Sequence, residues 1–356
     1  MKFTMNTVKL QEMVNRAVRG AGMDKTDPIT ASMAIRLEAG QLTLITTDNS
    51  NTLYIKEKVT GEDFYCVVEV EKFNKLVSKL TSENVTLEVS DFILTIKANG
   101  TYKIELEPDE NDQMIQYPDP LTDEYLTGDA KEISLAAVKI ILNTNKVALA
   151  TSDEIPAYTG YYIGDKVVTT DTDICCSLNA KLFDTPLLIA PQTMDLLNSV
   201  NEEKIKVSVK DDVIVFYTET CIVYGYLMNQ IDDYDIDTIN TLLDEEFESS
   251  CKVSRIDMLA LLDRIGLFVG LYDNGAITLT FTEKGIDISS KQSSGIETIQ
   301  YQESKNFKPY ICSLNIQQLI QQAKAIESDL LNIQYGNEKS IKIIDGDITQ
   351  IIALNV

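Results

Sequence analysis

Residues 68–107 read VEVEKFNKLVSKLTSENVTLEVSDFILTIKANGTYKIELE. Phe73, Leu76, Val77 and Leu80 fall at helical spacing, which predicts a short helix with one apolar face. Lys72, Lys75 and Lys79 fall at i, i+3 and i+7 and set a row of positive charge on a second face. Val85, Leu87 and Val89 then alternate with Thr86 and Glu88, so a strand follows, and Ser90-Asp91 turns the chain into the next. The stretch is one helix and three short strands joined by tight turns.

The same pattern occurs twice more. From Leu188 onward, Pro191 sits where a helix can start, and Met194 and Leu197 take the places of Phe73 and Leu76. Ile205, Val207 and Val209 alternate, Asp211-Asp212 turns, and strands follow at Val213 to Phe216 and Ile222 to Met228. At the chain end Leu314, Ile316 and Leu319 mark a helix, and Leu331, Ile333 and Tyr335 alternate. Asn337 to Lys339 turns, and strands follow at Ile341 to Ile344 and Ile348 to Leu354. Phe73 to Met194 is 121 residues and Met194 to Ile316 is 122, a period that defines a repeat architecture.

Each copy is preceded by a similar half. Val8, Met13, Val14 and Val18 predict a buried helix stripe ending near Gly20-Ala21-Gly22, with strands at 31–38 and 42–46. Helices are expected at 133–149 and 256–267, followed by strands at 158–163 and 167–170, and at 277–281 and 286–290. The turn-rich acidic runs 109–129 and 232–248 fall where the repeat places boundaries and read as linkers. The expectation is an α+β chain of three tandem domains, 1–122, 123–244 and 245–356, each of two helices packed on antiparallel sheet.

Composition narrows function. The 356 residues hold no histidine, which removes Ser-His-Asp and Cys-His catalysis and the commonest zinc ligand. Six cysteines lack zinc-ligand spacing and are expected as free thiols in a reducing cytosol. The start, MKFTMNTVKLQEM, has no apolar run of the signal-peptide kind, and no stretch is apolar enough to span a membrane. A cytoplasmic protein with no membrane partner is expected.

With 31 basic and 55 acidic residues the formal net charge is −24, which as a whole repels nucleic acid. The charge is not evenly laid out. The six expected helices, 7–19, 70–80, 133–149, 191–200, 253–265 and 314–327, hold 11 basic and 6 acidic residues, a net of +5; the remainder holds 20 and 49. Lys9, Arg16 and Arg19 share one helix, Lys72, Lys75 and Lys79 another, and Lys139 and Lys146 lie seven apart. Lysines on an exposed helix are ordinarily idle, but a bias against so acidic a background is not expected of a merely solvated surface. The helices of the third domain are neutral by the same count.

Several motifs invite a catalytic reading and have a simpler one. Asp171-Thr172-Asp173 has the spacing of two metal-binding carboxylates, yet Thr47-Asp48 ends a similar strand 123 residues earlier, so a turn closed by Asp on its own backbone explains both. Asp232, Asp233, Asp235 and Asp237 read as a solvated run, and Asp345-Gly346-Asp347 as a hairpin turn. No Gly-rich phosphate loop or nucleophile elbow is present. No catalytic residue, metal or cofactor is expected.

Three tandem helix-sheet repeats, LTLITTD at 42–48, VVTTD at 167–171 with Tyr158-Thr159-Gly160 ahead of it, and a last strand stopping at Leu354-Asn355-Val356 together resemble the bacterial sliding clamp family. These are the beta subunits of the DNA polymerase III holoenzyme, and a phage-encoded or divergent relative is the form expected here. The resemblance covers the full chain and implies the DNA clamp fold. Two subunits would close head to tail into a homodimeric ring around duplex DNA, with helices lining the hole. It would bind DNA without reading sequence, and a short linear motif in the replicative polymerase and the clamp loader would dock on it.

By the same resemblance Lys9, Arg16, Arg19, Lys25, Lys72, Lys75, Lys79, Lys139 and Lys146 would face DNA. Tyr158, Thr170, Thr172, Cys175, Ile236, Ile352 and Leu354 would form the partner pocket, between the second and third domains. Leu267 and Phe268 would anchor the dimer interface. The sequence departs from the family at the pocket: Thr172-Asp173-Ile174 replaces the usual Gly-His-Arg, and Ile352-Ala353-Leu354-Asn355 replaces Met-Pro-Met-Arg. Its partners should differ accordingly. Three readings compete: a eukaryote-type clamp, which would carry two domains per chain; a carboxylate-dependent metal phosphoesterase; and a non-enzymatic acidic repeat protein that binds partners.

Overall fold

The structure, a computed structural model, describes residues 1–22, 26–106, 108–109, 111–126, 130–270, 274–290 and 295–355. Its α-helices are α1 (Thr7–Ala17), α2 (Val70–Val77), α3 (Leu135–Thr144), α4 (Pro191–Leu196), α5 (Ile236–Asp244), α6 (Arg255–Gly266) and α7 (Ile316–Ala325). The chain divides into two compact units, Met1–Val138 with Gln192–Leu227, and Lys139–Pro191 with Met228–Val356.

In the first unit a four-stranded sheet runs in the order Lys2–Asn6, Asn84–Ser90, Ile93–Lys97, Thr101–Glu105. The larger sheet has eight strands, in the order Phe64–Glu69, Ser32–Glu38, Gln41–Thr47, Asn51–Lys58, Cys221–Tyr226, Val213–Tyr217, Lys204–Lys210, Lys131–Ser134. Its central seam pairs Leu53 with Val223 and Asn51 with Gly225. At Gly225 a Cβ would stand 2.7 Å from the Asn51 amide and 2.8 Å from Thr193, so only glycine admits this approach. Asn6 caps α1 through Lys9 N (3.2 Å), and Leu10, Met13, Val14 and Ala17 bury at i, i+3, i+4 and i+7. That stripe corrects the sequence expectation: Val8 is 58% exposed, and Val18 begins a 3-10 turn rather than ending the buried face.

The acidic run after residue 108 is bound to the sheet rather than free. The Tyr117 hydroxyl donates to Ser32 O (2.8 Å) and accepts from Thr47 N (3.1 Å), and Asp119 accepts from Tyr54 (2.8 Å) and Arg36 (2.7 Å). Tyr117, Leu121 and Tyr125 pack over the sheet with Tyr54 and Tyr224.

The second unit repeats the plan. Nine strands run in the order Leu187–Ile189, Tyr161–Ile163, Val167–Thr170, Ile174–Leu178, Ile348–Ala353, Ser340–Asp345, Leu330–Tyr335, Ser249–Ser254, Glu303–Lys305. A second sheet has the order Ile296–Gln300, Gly285–Ser290, Ala276–Phe281, Tyr310–Asn315. The seam pairs Ile174 with Ile352, just as Asn51, also the first residue after an Asp turn, pairs with Gly225. One sheet face packs on α6 and α7 through Leu262, Leu319, Ile341 and Ile352.

The opposite face is covered by Tyr158, Tyr234, Ile239 and Leu243. Ile239 and Leu243 belong to α5, which occupies the run expected to be a linker. Asp235 caps it by accepting from Thr238 N (3.1 Å), and the buried Lys342 ammonium donates to Leu243 O (2.8 Å) and Glu245 O (2.7 Å) at its far end. All six cysteines are free and buried. Among the described residues no helix is long and apolar enough to cross a membrane.

Candidate functional site

The basic side chains expected to face DNA differ in burial and in the contacts they make. Arg16 is half-buried: Nε donates to Ser199 O at 2.7 Å and Nη2 to Thr220 Oγ1 at 3.0 Å. Arg19 donates to Asn198 O. Both guanidiniums hold α1 and its following turn to the 3-10 turn Leu197–Ser199, Arg16 half-buried and Arg19 exposed. Lys9 pairs with Glu57 at 3.0 Å and Lys75 with Glu71 one helical turn before it. Such exposed pairs contribute about 0–1 kcal/mol and can be exchanged for another anion. Lys72, Lys79, Lys139 and Lys146 are exposed. Lys25 lies outside the described residues.

The two Asp turns are built alike. Asp48 Oδ1 accepts from Ser50 N (2.9 Å) and Asn51 N (2.6 Å), and Asp171 Oδ1 from Asp173 N (3.0 Å) and Ile174 N (2.8 Å). The preceding threonine hydroxyl accepts from Asn49 N in one and Thr172 N in the other, each at 3.1 Å. Asn49 and Thr172 have φ of 73° and 83°, so the turn geometry accounts for these carboxylates.

The expected partner pocket is only partly assembled. Thr170 pairs with Cys175 and Cys175 with Ile351, so all three point to one sheet face, where Tyr158 and Ile236 pack. Ile352 pairs with Ile174 on the reverse face, fully buried in the core, and Leu354 packs on that same core. The correction is a register of one residue: side chains alternate across a strand, so Ile351, not Ile352, stands beside Cys175. Thr172 is exposed at the turn. Burial pushes the Cys175 thiol up to about 12, with Asp171 adding to it, so the sulfur stays neutral.

Beside this cluster lies a groove the sequence reading did not assemble. A cavity of 620 Å³ is lined by Tyr162, Pro186, Ile231, Tyr234 and Ile236 and by Asp232, Asp233, Asp235 and Asp237. Tyr162 stacks on Tyr234 with ring centroids 5.0 Å apart, and Tyr158 meets Tyr234 edge-on at 5.1 Å. The helical spacing of Ile236, Ile239 and Leu243 behind an Asp235 cap was the signal that could have placed it.

No protein-family model matches the chain. It is 22% identical to the Beta sliding clamp of Staphylococcus epidermidis over 385 aligned residues, covering 99% of this chain and 98% of the relative. The Staphylococcus aureus protein of the same name is 21% identical over 382 residues, with the same coverage. The DNA polymerase sliding clamp of Bacillus subtilis superposes over 100% of this chain and 99% of its own, with a TM-score of 0.86 at 18% identity. DNA polymerase III subunit beta of Borrelia burgdorferi gives 0.87 at 15%, over 100% and 99%. Along its whole length the chain is similar to the beta sliding clamps, and it has their fold.

In this clamp fold the expected dimer anchors are open. Leu267 is 82% and Phe268 51% exposed at the end of α6. Phe268 lies against Gly295, beside the edge strand Ile296–Gln300, where Ile296 is also exposed. Arg264 fastens α6 to that strand through Glu297 at 2.6 Å.

Proposed function

We propose that the protein is a DNA sliding clamp, a non-enzymatic processivity factor that encircles duplex DNA and tethers the replicative polymerase. The observation that carries this reading is likeness to sliding clamps along the entire chain, in sequence and in fold together. Neither the phosphoesterase reading nor that of a generic acidic repeat protein accounts for such likeness.

Three domains, 1–122, 123–244 and 245–356, make up each subunit, and two subunits close head to tail. Exposed Leu267 and Phe268, beside a strand that is the last of its sheet among the described residues, support that closure. Lys72, Lys79, Lys139 and Lys146, with the exchangeable Lys9 and Lys75, face the phosphates. Polymerase and loader dock by short linear motifs on the Tyr158, Thr170, Cys175 and Ile236 face. The protein works in the cytoplasm.

Enclosure rather than affinity holds such a protein on DNA. Non-specific binding gives dissociation constants of only about 10⁻⁴–10⁻⁶ M even for basic proteins, and this chain carries −24. Loaded on nicked circular DNA, it should persist, and linearising that DNA should release it. Equal retention on both forms would mean that it grips DNA instead of encircling it.

A further inference from the structure

The groove beside Tyr162 differs from an ordinary apolar pocket in the charge around it. Its floor is aromatic and aliphatic, formed by the stacked Tyr162 and Tyr234 with Ile231 and Ile236. Four carboxylates rim it, and among the described residues no cationic side chain lines it. Asp232, Asp233 and Asp237 take no ion pair and no side-chain hydrogen bond among the described residues, while Asp235 is used as the α5 cap. An adjoining hollow of 370 Å³ shares Tyr162, Pro186 and Ile236 and adds Asp165, Asp184 and Asp244. The cations there are few: Lys166 reaches Asn240 at 3.4 Å, and Lys181 pairs with Asp165 at 3.1 Å and Asp184 at 3.9 Å. Burial first, and then Asp165 and Asp237, push the Tyr162 hydroxyl above its ordinary range, as a site of net negative potential should.

We propose that this groove takes a short segment of a basic protein partner, with an apolar side chain seated on Tyr162 and Tyr234 and flanking lysines or arginines meeting Asp232, Asp233 and Asp237. The inference rests on the clamp reading in taking this face as the one where partners dock. The apolar floor supplies affinity for any aliphatic or aromatic anchor. The rim decides between anchors. Like charges brought together at an interface are strongly unfavourable, whereas opposite charges steer association and fix register. Unpaired carboxylates on a preformed rim therefore reject motifs with acidic flanks and admit basic ones.

The test uses two fluorescent amidated octapeptides with a central Leu-Phe pair, one flanked by lysines and one by glutamates, titrated on to the full chain. The lysine probe should bind at least about tenfold tighter at low salt, with the difference shrinking as screening shortens to about 3 Å at 1 M. Asp232→Asn with Asp233→Asn and Asp237→Asn should erase the preference, and Asp232→Lys with Asp233→Lys should reverse it, both with unchanged thermal melts. Equal affinities, or a preference for the glutamate probe, with binding still lost in Tyr162→Ala, would overturn the basic partner and leave the docking face standing. If neither probe binds, or Tyr162→Ala binds as well as the unaltered chain, the docking face falls as well. Retention on circular DNA is independent of all these outcomes.

Discussion

The Arg16 guanidinium donates to the Ser199 carbonyl at 2.7 Å, joining α1 to a turn 183 residues further along the chain. Ser199 Oγ donates back to Arg16 O at 3.3 Å, and Thr220 takes the other arm of the guanidinium at 3.0 Å. A charged donor half-buried between backbone and hydroxyl acceptors fixes position. Arg16→Ala strands the Ser199 carbonyl, while Thr220 keeps its bond to Glu202 (2.6 Å), and should cost about 1–3 kcal/mol of stability. Urea unfolding measures it, and a loss below about 0.5 kcal/mol would place the arginine in solvent, free for other duties.

The same junction carries a pH dependence. Burial raises the Glu202 carboxyl, but hydrogen bonds from the Thr220 and Thr218 side chains and the Thr220 amide outweigh it, so it titrates below its ordinary 4.5. A carboxylate lowered on folding stabilises wherever it is charged. That contribution is complete above the unfolded value and fades as pH falls through the folded one. Glu202→Gln should therefore lose stability at neutral pH and show a shallower decline into acid. Parallel acid titrations of the two proteins would refute the linkage.

The repeat and its strands were legible because alternation and helical spacing are local marks. The seams were not. Nothing near Asn51–Lys58 announces a partner at Cys221–Tyr226, since pairing over such a separation leaves no trace in either strand alone. Ile351 and Ile352 follow one another with no polar residue between, so period two could not say which faces Cys175. Acidic composition hid α5, although Asp235, Ile236, Ile239 and Leu243 carried its cap and stripe. The backbone carbonyls that Arg16 and Arg19 bind have no sequence signature, so the part these side chains play in holding α1 was not legible.

Ile352 should behave as core and not as pocket. It is fully buried on the reverse side of the sheet from Tyr158, among Leu262, Leu319 and Ile341. Ile352→Ala should cost about 2–5 kcal/mol with peptide-probe affinity unchanged. A variant of normal stability that fails to bind the probe would return Ile352 to the docking face.

Leu267 and Phe268 expose apolar surface at the end of α6, next to a strand that is the last of its sheet among the described residues. Exposed anchors beside free backbone groups are the ordinary makings of an intersubunit interface. The chain is expected to run as a dimer in light scattering, and Leu267→Ala with Phe268→Ala should make it run as a monomer without lowering the thermal melt of the subunit. A dimer of undiminished affinity would place closure elsewhere.

Of the cations expected on DNA, Lys72, Lys79 and Lys139 have neither an ion pair nor a hydrogen bond among the described residues, so they are the ones to reverse. Arg16 and Arg19 are spoken for by backbone carbonyls, and changing them would confuse stability with binding. Every phosphate that a lysine no longer neutralises should lower the slope of log affinity against log salt by about 0.9. The triple substitution Lys72→Glu, Lys79→Glu, Lys139→Glu should therefore flatten the salt response and shorten processive synthesis while the dimer and its melt stay intact. Lys75→Glu is a poorer probe, because it sets a carboxylate one turn from Glu71 and would disturb α2 itself. If the triple variant supports synthesis as well as the unaltered chain at every salt concentration, these helix faces do not meet DNA.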